Sequence, residues 1–450
     1  MRRALPFALL FFVSSAAVYA FGVSESYNDW YGSVAEGSED VANTGITAFP
    51  TLLIPIGGEY EAMGTAYTAV GRDASFIDAN PAASSEITET QIALFHNNWI
   101  ADSNIEGVAY TTRYEDFGVA LGGKYLHVPF TEYDDFGVQQ ETTRYTETIV
   151  AANLSYNFLS SFYFTGVAVG ANLKLGYRRA PDTHFNRDVR GAGAMVDLGA
   201  LSRFDLLKFY PSRQRNFSVG TTIKNLGPNV RGDPLPTVWA TGIAYSPIRP
   251  LLFAFDLNIP MTPFSPLPSE SVGFAVGAAA TITDFFIMRS GFLLRGGNPR
   301  ISMGGSVDFE KMTVDVTYTL DMTTQLTAFD RFSVGISFPL GDRGRGAREE
   351  QVRTLYLDAL EAFAAGDLEQ TIDLCRQAIE IDPTFQPAEE TLVMATRMLD
   401  LQEQMDAIRF GDTELPAGDV PAPDTAPETA PETPADAIED GAIEAAPAEE

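Results

Sequence analysis

Met312-Thr313-Val314-Asp315-Val316-Thr317-Tyr318-Thr319-Leu320 alternates without a break: Met312, Val314, Val316, Tyr318 and Leu320 are apolar or aromatic, and the residues between them are polar. A period of two puts these sets on opposite faces of an extended strand, whereas helical spacing would scatter both around a cylinder. The same dyad runs through Ile301, Met303, Gly305, Val307 and Phe309 against Ser302, Gly304, Ser306 and Asp308. It recurs from Val167 to Tyr177, where Val167, Val169, Ala171, Leu173, Leu175 and Tyr177 oppose Ala168, Gly170, Asn172, Lys174 and Gly176.

Outward from these segments, apolar stretches of about ten residues separated by turn-rich joints predict strands near 91–98, 105–113, 116–126, 145–158, 165–178, 192–201, 215–225, 236–246, 250–258, 270–282, 284–292, 299–310, 311–320 and 329–338. That is about fourteen strands, an even number, as a barrel with both ends on one side requires. A soluble sandwich also alternates. The less apolar face decides between them: Lys124, Lys174, Lys224, Asp256, Asp308 and Asp315 fall there among small residues, which suits a lumen. Tyr156, Phe158 and Tyr177 sit at strand ends, as interfacial aromatic girdles do. After Ala20 no run of about 18 apolar residues occurs, so only a barrel could span a bilayer. Phe332-Ser333-Val334-Gly335-Ile336-Ser337-Phe338 has the form of a terminal barrel strand, yet further chain follows it.

Arg2 and Arg3 ahead of the apolar run Ala4 to Val13, with Val18-Tyr19-Ala20 after it, predict a signal peptide over 1–20 and hence export. No cysteine follows at the cleavage point, which argues against a lipoprotein, and the single Cys375 excludes an internal disulfide framework. It reads as a small core residue. His96, His127 and His184 lack ligand spacing, so neither a metal nor a cofactor is expected. The net charge of −30, of which −12 lies in 411–450 and −9 in 347–410, excludes nucleic acid as a partner, because phosphate neutralisation needs clustered Lys and Arg. No Gly-x-Ser-x-Gly elbow, His-Glu-x-x-His helix or phosphate-cradling loop is present, and the Gly191-x-Gly193 pair is too short for a dinucleotide fingerprint. The chain does not read as an enzyme; a lipase would need a Ser-His pair that cannot be placed.

Behind the strands, Gly341 to Gly346 reads as a joint and the period then becomes helical from Val352 to Ala365 and from Leu368 to Ile381, broken at Gly366-Asp367 and ended at Asp382-Pro383. A third helix follows over about 388–408. Leu355, Ala359, Phe363, Gly366, Asp367, Ile372, Ala378, Ile379, Asp382 and Pro383 resemble one tetratricopeptide repeat. From 411 onward Ala, Pro, Glu, Asp and Thr predominate, and such a segment buries too little apolar surface to fold.

Ahead of the first strand stand Phe49-Pro50-Thr51-Leu52-Leu53-Ile54-Pro55, then Ala62-Met63-Gly64-Thr65-Ala66-Tyr67 running on to Asp73-Ala74-Ser75, and finally Asn80-Pro81-Ala82. This stretch resembles the N-terminal segment of the FadL-type superfamily of outer-membrane long-chain fatty acid transporters, including its PorV-like branch and related spirochaetal proteins. The resemblance covers roughly 45–340, with detailed motif match over 49–82. It implies an all-β transmembrane barrel in the outer membrane, a hatch at Met63, Gly64, Asp73, Asn80, Pro81 and Ala82, and passage of a hydrophobic small molecule such as a fatty acid. A PorV-like scaffold or shuttle for exported proteins is the alternative it implies. Gly64, Ala66 and Ala69 would let a short helix pack closely in the lumen, and Asn80-Pro81 would fix a turn.

The expected organisation is thus a signal peptide over 1–20, a hatch or plug over 21–90, a barrel over 91–340, a linker over 341–346, a tetratricopeptide-like domain over 347–410 and a disordered acidic tail over 411–450. The hatch and the helices are expected in the periplasm, where the helices would offer a surface to a protein partner. Gly118, Gly122 and Gly123 followed by Pro129 weaken one strand, and FadL-type barrels kink a strand near this place, so Gly122 and Gly123 are candidates for a lateral opening. The plainer reading is that they make room for plug side chains.

Overall fold

The computed structural model describes residues 47–99, 103–134, 136–180, 189–212, 214–263, 271–296, 298–322 and 331–411. The expected signal peptide and acidic tail lie outside these residues. Fourteen strands form one closed antiparallel meander in which each pairs with its sequence neighbours and the last returns to the first. They are β1 (Gln91–Asn98), β2 (Asn104–Tyr114), β3 (Phe117–Tyr133), β4 (Gln139–Phe158) and β5 (Val167–Ala180). Next come β6 (Val189–Phe204), β7 (Phe217–Leu226), β8 (Val238–Tyr245), β9 (Leu251–Pro260) and β10 (Gly273–Thr283). The circuit ends with β11 (Phe286–Arg295), β12 (Asn298–Asp308), β13 (Thr313–Asp321) and β14 (Phe332–Pro339). The seam pairs Gln91 with Pro339 and Asn98 with Phe332. Closure leaves no unpaired edge, which is the one way a sheet satisfies all its backbone groups without solvent.

The polarity is inverted relative to a soluble sheet. On β13, Val316 is 40% exposed while Asp315 and Thr317 are 6% and 1% exposed. On β5, Leu173 and Leu175 are more than half exposed, and Asn172 and Lys174 between them are buried. A sandwich hides the apolar face; this barrel turns it outward. Aromatic rings mark the rim from which β1 starts and at which β14 ends. Cross-strand partners Phe204 and Phe217 have ring centroids 5.0 Å apart, Phe217 and Tyr245 follow at 6.2 Å, and Tyr156 meets Phe158 edge-on at 4.8 Å.

β3 and β4 run further than the alternation predicted, pairing up to Tyr133 opposite Gln139. Behind β14 lie the helices α2 (Arg345–Ala365) and α3 (Leu368–Ile381), numbered after the short helix α1 (Gly58–Ala62) that precedes the strands. The expected joint is therefore shorter than 341–346: Asp342 accepts the backbone N–H groups of Gly344 and Gly346, and the helix starts at once. Asp367 caps α3 by accepting the Gln370 N–H at 3.0 Å, and Gly366 (φ +83°) ends α2 in the left-handed conformation. Cys375 is fully buried between these helices with Val352, Ala359, Ala378, Phe385 and Ala388. The third helix, α4 (Gln386–Gly411), is longer than expected at both ends. Phe162, from the β4–β5 connection, packs its ring edge-on against Phe385 at 5.0 Å, and Phe385 meets Tyr356 at 5.2 Å.

Candidate functional site

Residues 47–90 occupy the barrel interior. They pack against inward side chains from opposite walls at once: Ala120, Ala151, Ala168 and Leu201 on one side, Ala254, Ala275 and Leu293 on the other. The local structure is short, and only its last turn carries a side-chain cap. It comprises a 3₁₀ turn Pro50–Leu53, α1 (Gly58–Ala62), and 3₁₀ turns Ala74–Asp78 and Pro81–Ser85. The small residues at Gly64, Ala66 and Ala69 do not form the expected helix. α1 stops at Met63, and Gly64 (φ +62°) turns the chain against the wall, where a β-carbon would lie 2.6 Å from the Phe292 nitrogen. On the wall side, Gly277 leaves room for Met63, Gly170 for Pro81, and Gly220 for Thr68.

Asn80 holds three pieces together. Its Oδ1 accepts the Ala82 N–H at 3.0 Å, capping the last turn, while Nδ2 donates to the Thr68 carbonyl at 2.8 Å and to the Ala200 carbonyl on β6 at 3.0 Å. The Pro81 carbonyl accepts from Asn153 on β4 at 2.9 Å, and Ala82 is fully buried. Asp73 accepts from the Tyr67 hydroxyl at 2.8 Å and from Ser75 at 2.5 Å. The predicted hatch residues therefore lie together, within one hydrogen-bonded interior.

Charge fastens the segment to the wall at three places. Asp78 pairs with Lys124 of β3 at 2.5 Å, Glu59 with Arg289 of β11, and Glu86 with Arg203 of β6. Asp256 of β9 accepts the backbone N–H groups of Tyr67 and Thr68 at 2.9 and 2.8 Å. Glu147 of β4 accepts from both the N–H and the hydroxyl of Thr51. Glu61 is buried against Asn97 at 3.2 Å and Thr319 at 3.3 Å. Burial pushes the Glu61 carboxyl up to about 7, against the lowering hydrogen bonds of Ser333, Thr319 and Asn97 and the charge of Arg331. Burial first, and then the charge of Glu59, push Asp73 up to about 7 as well. Sequence reading placed Lys124 and Asp315 on the lumen face but named none of Glu59, Glu61, Asp78 or Glu86. The available signal was their spacing through an otherwise small and apolar stretch, opposite basic residues on the strands' polar face.

Across Gly122 and Gly123 both ladders of β3 are continuous, Ala109 and Val108 facing them from β2, Ala151 and Val150 from β4. The wall is closed there. A β-carbon on Gly122 would lie 2.6 Å from Ile77 Cδ1, so this glycine makes room for the interior segment, whereas one on Gly123 would meet nothing nearer than 3.5 Å.

Fold and interior together define a closed fourteen-strand antiparallel barrel with residues of the N-terminal segment packed against inward side chains of its strands. The chain belongs to UPF0164, an uncharacterised protein family, whose family model matches residues 30–343. It is 29% identical to a UPF0164 protein of Treponema pallidum (strain Nichols) over 89% of this chain and 94% of that relative. A second UPF0164 protein of the same organism is 26% identical over 80% of this chain and 77% of the relative. Among solved structures it is similar to a Pseudomonas aeruginosa FadL homologue, with 10% identity, coverage of 62% and 97% of the two chains and a TM-score of 0.40. It is also similar to the Pseudomonas putida toluene transporter TodX, with 10% identity, coverage of 61% and 95% and a TM-score of 0.40.

Proposed function

We propose that this protein is an outer-membrane channel for hydrophobic compounds, of which long-chain fatty acids are one class, held shut by residues 47–90 acting as a hatch. The observation that carries the reading is the inverted barrel: an apolar, aromatic-rimmed exterior suited to lipid around a polar interior that the segment fills. The segment packs against inward alanines and leucines of the wall and runs on into β1, and its attachments at Asp78, Glu59, Glu86 and Asn80 are discrete polar contacts. Such contacts can be exchanged for water, so the hatch can leave or shift without breaking a strand ladder. A lateral exit at Gly122 and Gly123 would instead demand opening of two paired ladders. The rim shared by the start of β1 and the end of β14 is then periplasmic, and the helices, with one tetratricopeptide-like hairpin, stand on that side.

Exposed Leu357, Leu360, Val393 and Met394 on the helices favour a second reading, a PorV-like scaffold that receives an exported protein. Native mass spectrometry of the full chain extracted in mild detergent separates the two. Bound lipid or another small apolar molecule supports the channel, and a stoichiometric protein partner with no small molecule overturns it.

A further inference from the structure

At the rim where β1 begins and β14 ends, a cavity of about 510 Å³ opens inside the barrel between the wall, the interior segment and the β6–β7 and β8–β9 connections. Its size is that of a small-molecule site. Four arginines line it, Arg72, Arg215, Arg249 and Arg289, against the single acid Glu59. Two of the four are already neutralised. Arg289 is paired with Glu59 and with Asp315 at 3.6 Å, and Arg215 with Asp205 at 2.6 Å. Glu59 is in turn engaged by Arg289 and by the Tyr67 hydroxyl at 2.9 Å, and its charge also acts on Arg72.

The other two arginines make no close ion pair among the described residues. Arg249 touches only a carbonyl, that of Pro211, at 2.8 Å, and has no carboxylate partner among the described residues. Arg72 sits on the interior segment, enclosed by the barrel yet reached by water, and among the described residues its guanidinium has no ion-pair or hydrogen-bond partner. Both guanidiniums are exposed to the cavity, so their remaining donors are open to an anion there. Beside these two lies an apolar wall of Leu251, Leu252, Ala279 and Ile287.

We propose that this cavity binds a phosphate-bearing amphiphile, with the phosphate on Arg72 and Arg249 and the apolar body against Leu252, Ala279 and Ile287. Two guanidiniums without a close carboxylate partner among the described residues suit the two charges of a phosphomonoester, and the planar fork of arginine donates to phosphate oxygens in pairs. The apolar wall distinguishes a lipid phosphate from the free ion. The site stands whether or not compounds pass the barrel, so its failure would leave the channel reading untouched.

The test is calorimetric titration of the full chain in dodecyl maltoside with lysophosphatidic acid below its micellar concentration, and separately with monooleoylglycerol, oleate and inorganic phosphate. Lysophosphatidic acid should bind, and Arg72→Gln and Arg249→Gln should each weaken it by about tenfold or more, the loss expected for a charge-assisted hydrogen bond. Arg353→Gln, an exposed residue of α2, should not. Arg249 lies on an exposed turn, so its variant reports on binding even if Arg72→Gln fails to assemble. Inorganic phosphate binding as tightly as the lysolipid would assign the site to the free ion and overturn the amphiphile. Equal binding of oleate or monooleoylglycerol, or unaltered affinity in Arg249→Gln, would overturn the phosphate.

Discussion

Lys124 Nζ lies 2.5 Å from the Asp78 carboxylate, and both side chains are at least nine-tenths buried. The pair joins the wall to the segment inside it, and the same ammonium also donates to the Ile54 carbonyl at 2.9 Å. Removing one partner strands the other charge in a dry interior. Asp78→Ala is expected to cost about 3 to 5 kcal/mol in seating the segment, and Asp78→Leu with Lys124→Met to recover most of it. Limited proteolysis at residues 47–90 and thermal unfolding in detergent read this; equal behaviour of the single and double variants would refute it.

Asn80→Ala removes a turn cap and two buried hydrogen bonds at once. A loss of roughly 2 to 4 kcal/mol is expected, with barrel assembly retained because no ladder is touched. In planar bilayers this variant should conduct more than the parent chain. A silent variant with normal heat-modifiable mobility would remove the gating role from Asn80.

Glu61 and Asp73 give the seating of the segment a pH dependence. Each carboxyl has its folded value raised to about 7 from an ordinary 4.5 and 3.8, so the folded interior favours the protonated form. Stability is then full at low pH and declines as pH rises from about 4 to about 7, levelling above that. Conductance and protease access to the segment should rise across this window, and Glu61→Gln should flatten part of the rise. An increase confined to acid pH would contradict the assignment.

Gly122→Val drives a side chain into Ile77 next to the Asp78 contact, whereas Gly123→Ala meets nothing close. The first should loosen the segment by about 1 to 3 kcal/mol and the second should be nearly silent. If uptake of a labelled fatty acid fell in both variants while the segment stayed seated, a lateral route would regain support.

Phe162→Ala removes the ring packed edge-on against Phe385, costing about 1 to 3 kcal/mol of helix attachment. Faster trypsin release of residues 345–411 with an intact barrel is the expected result.

The strand order and number were legible because a lipid-facing surface imposes alternation on every strand that meets it. Beyond Leu126 on β3 and before Tyr145 on β4 that pressure ends. Thr131, Thr142 and Thr143 favour extension without an apolar face, and the ladder continues unseen by periodicity. Within 49–82 the expected helix was misplaced, because Gly64 has a positive φ and serves close approach to the wall rather than helical packing. The partners of Lys124 and Arg289 were not legible at all. Arg289 meets Glu59 across 230 residues of sequence, a pairing that only barrel closure creates.

The β1–β14 seam has a consequence for how such a chain can be made. Its two edges are the first and last strands synthesised, so the ring can shut only when the whole sheet is in hand. The segment that fills the ring precedes β1, and every one of its ion pairs is with a strand made later. Its ion pairs are thus completed only as those later strands arrive, so seating of the segment and closure of the ring are linked steps. Variants that weaken its wall contacts should slow biogenesis as well as loosen the finished protein, because long-range contacts of this kind set the pace at which a topology completes.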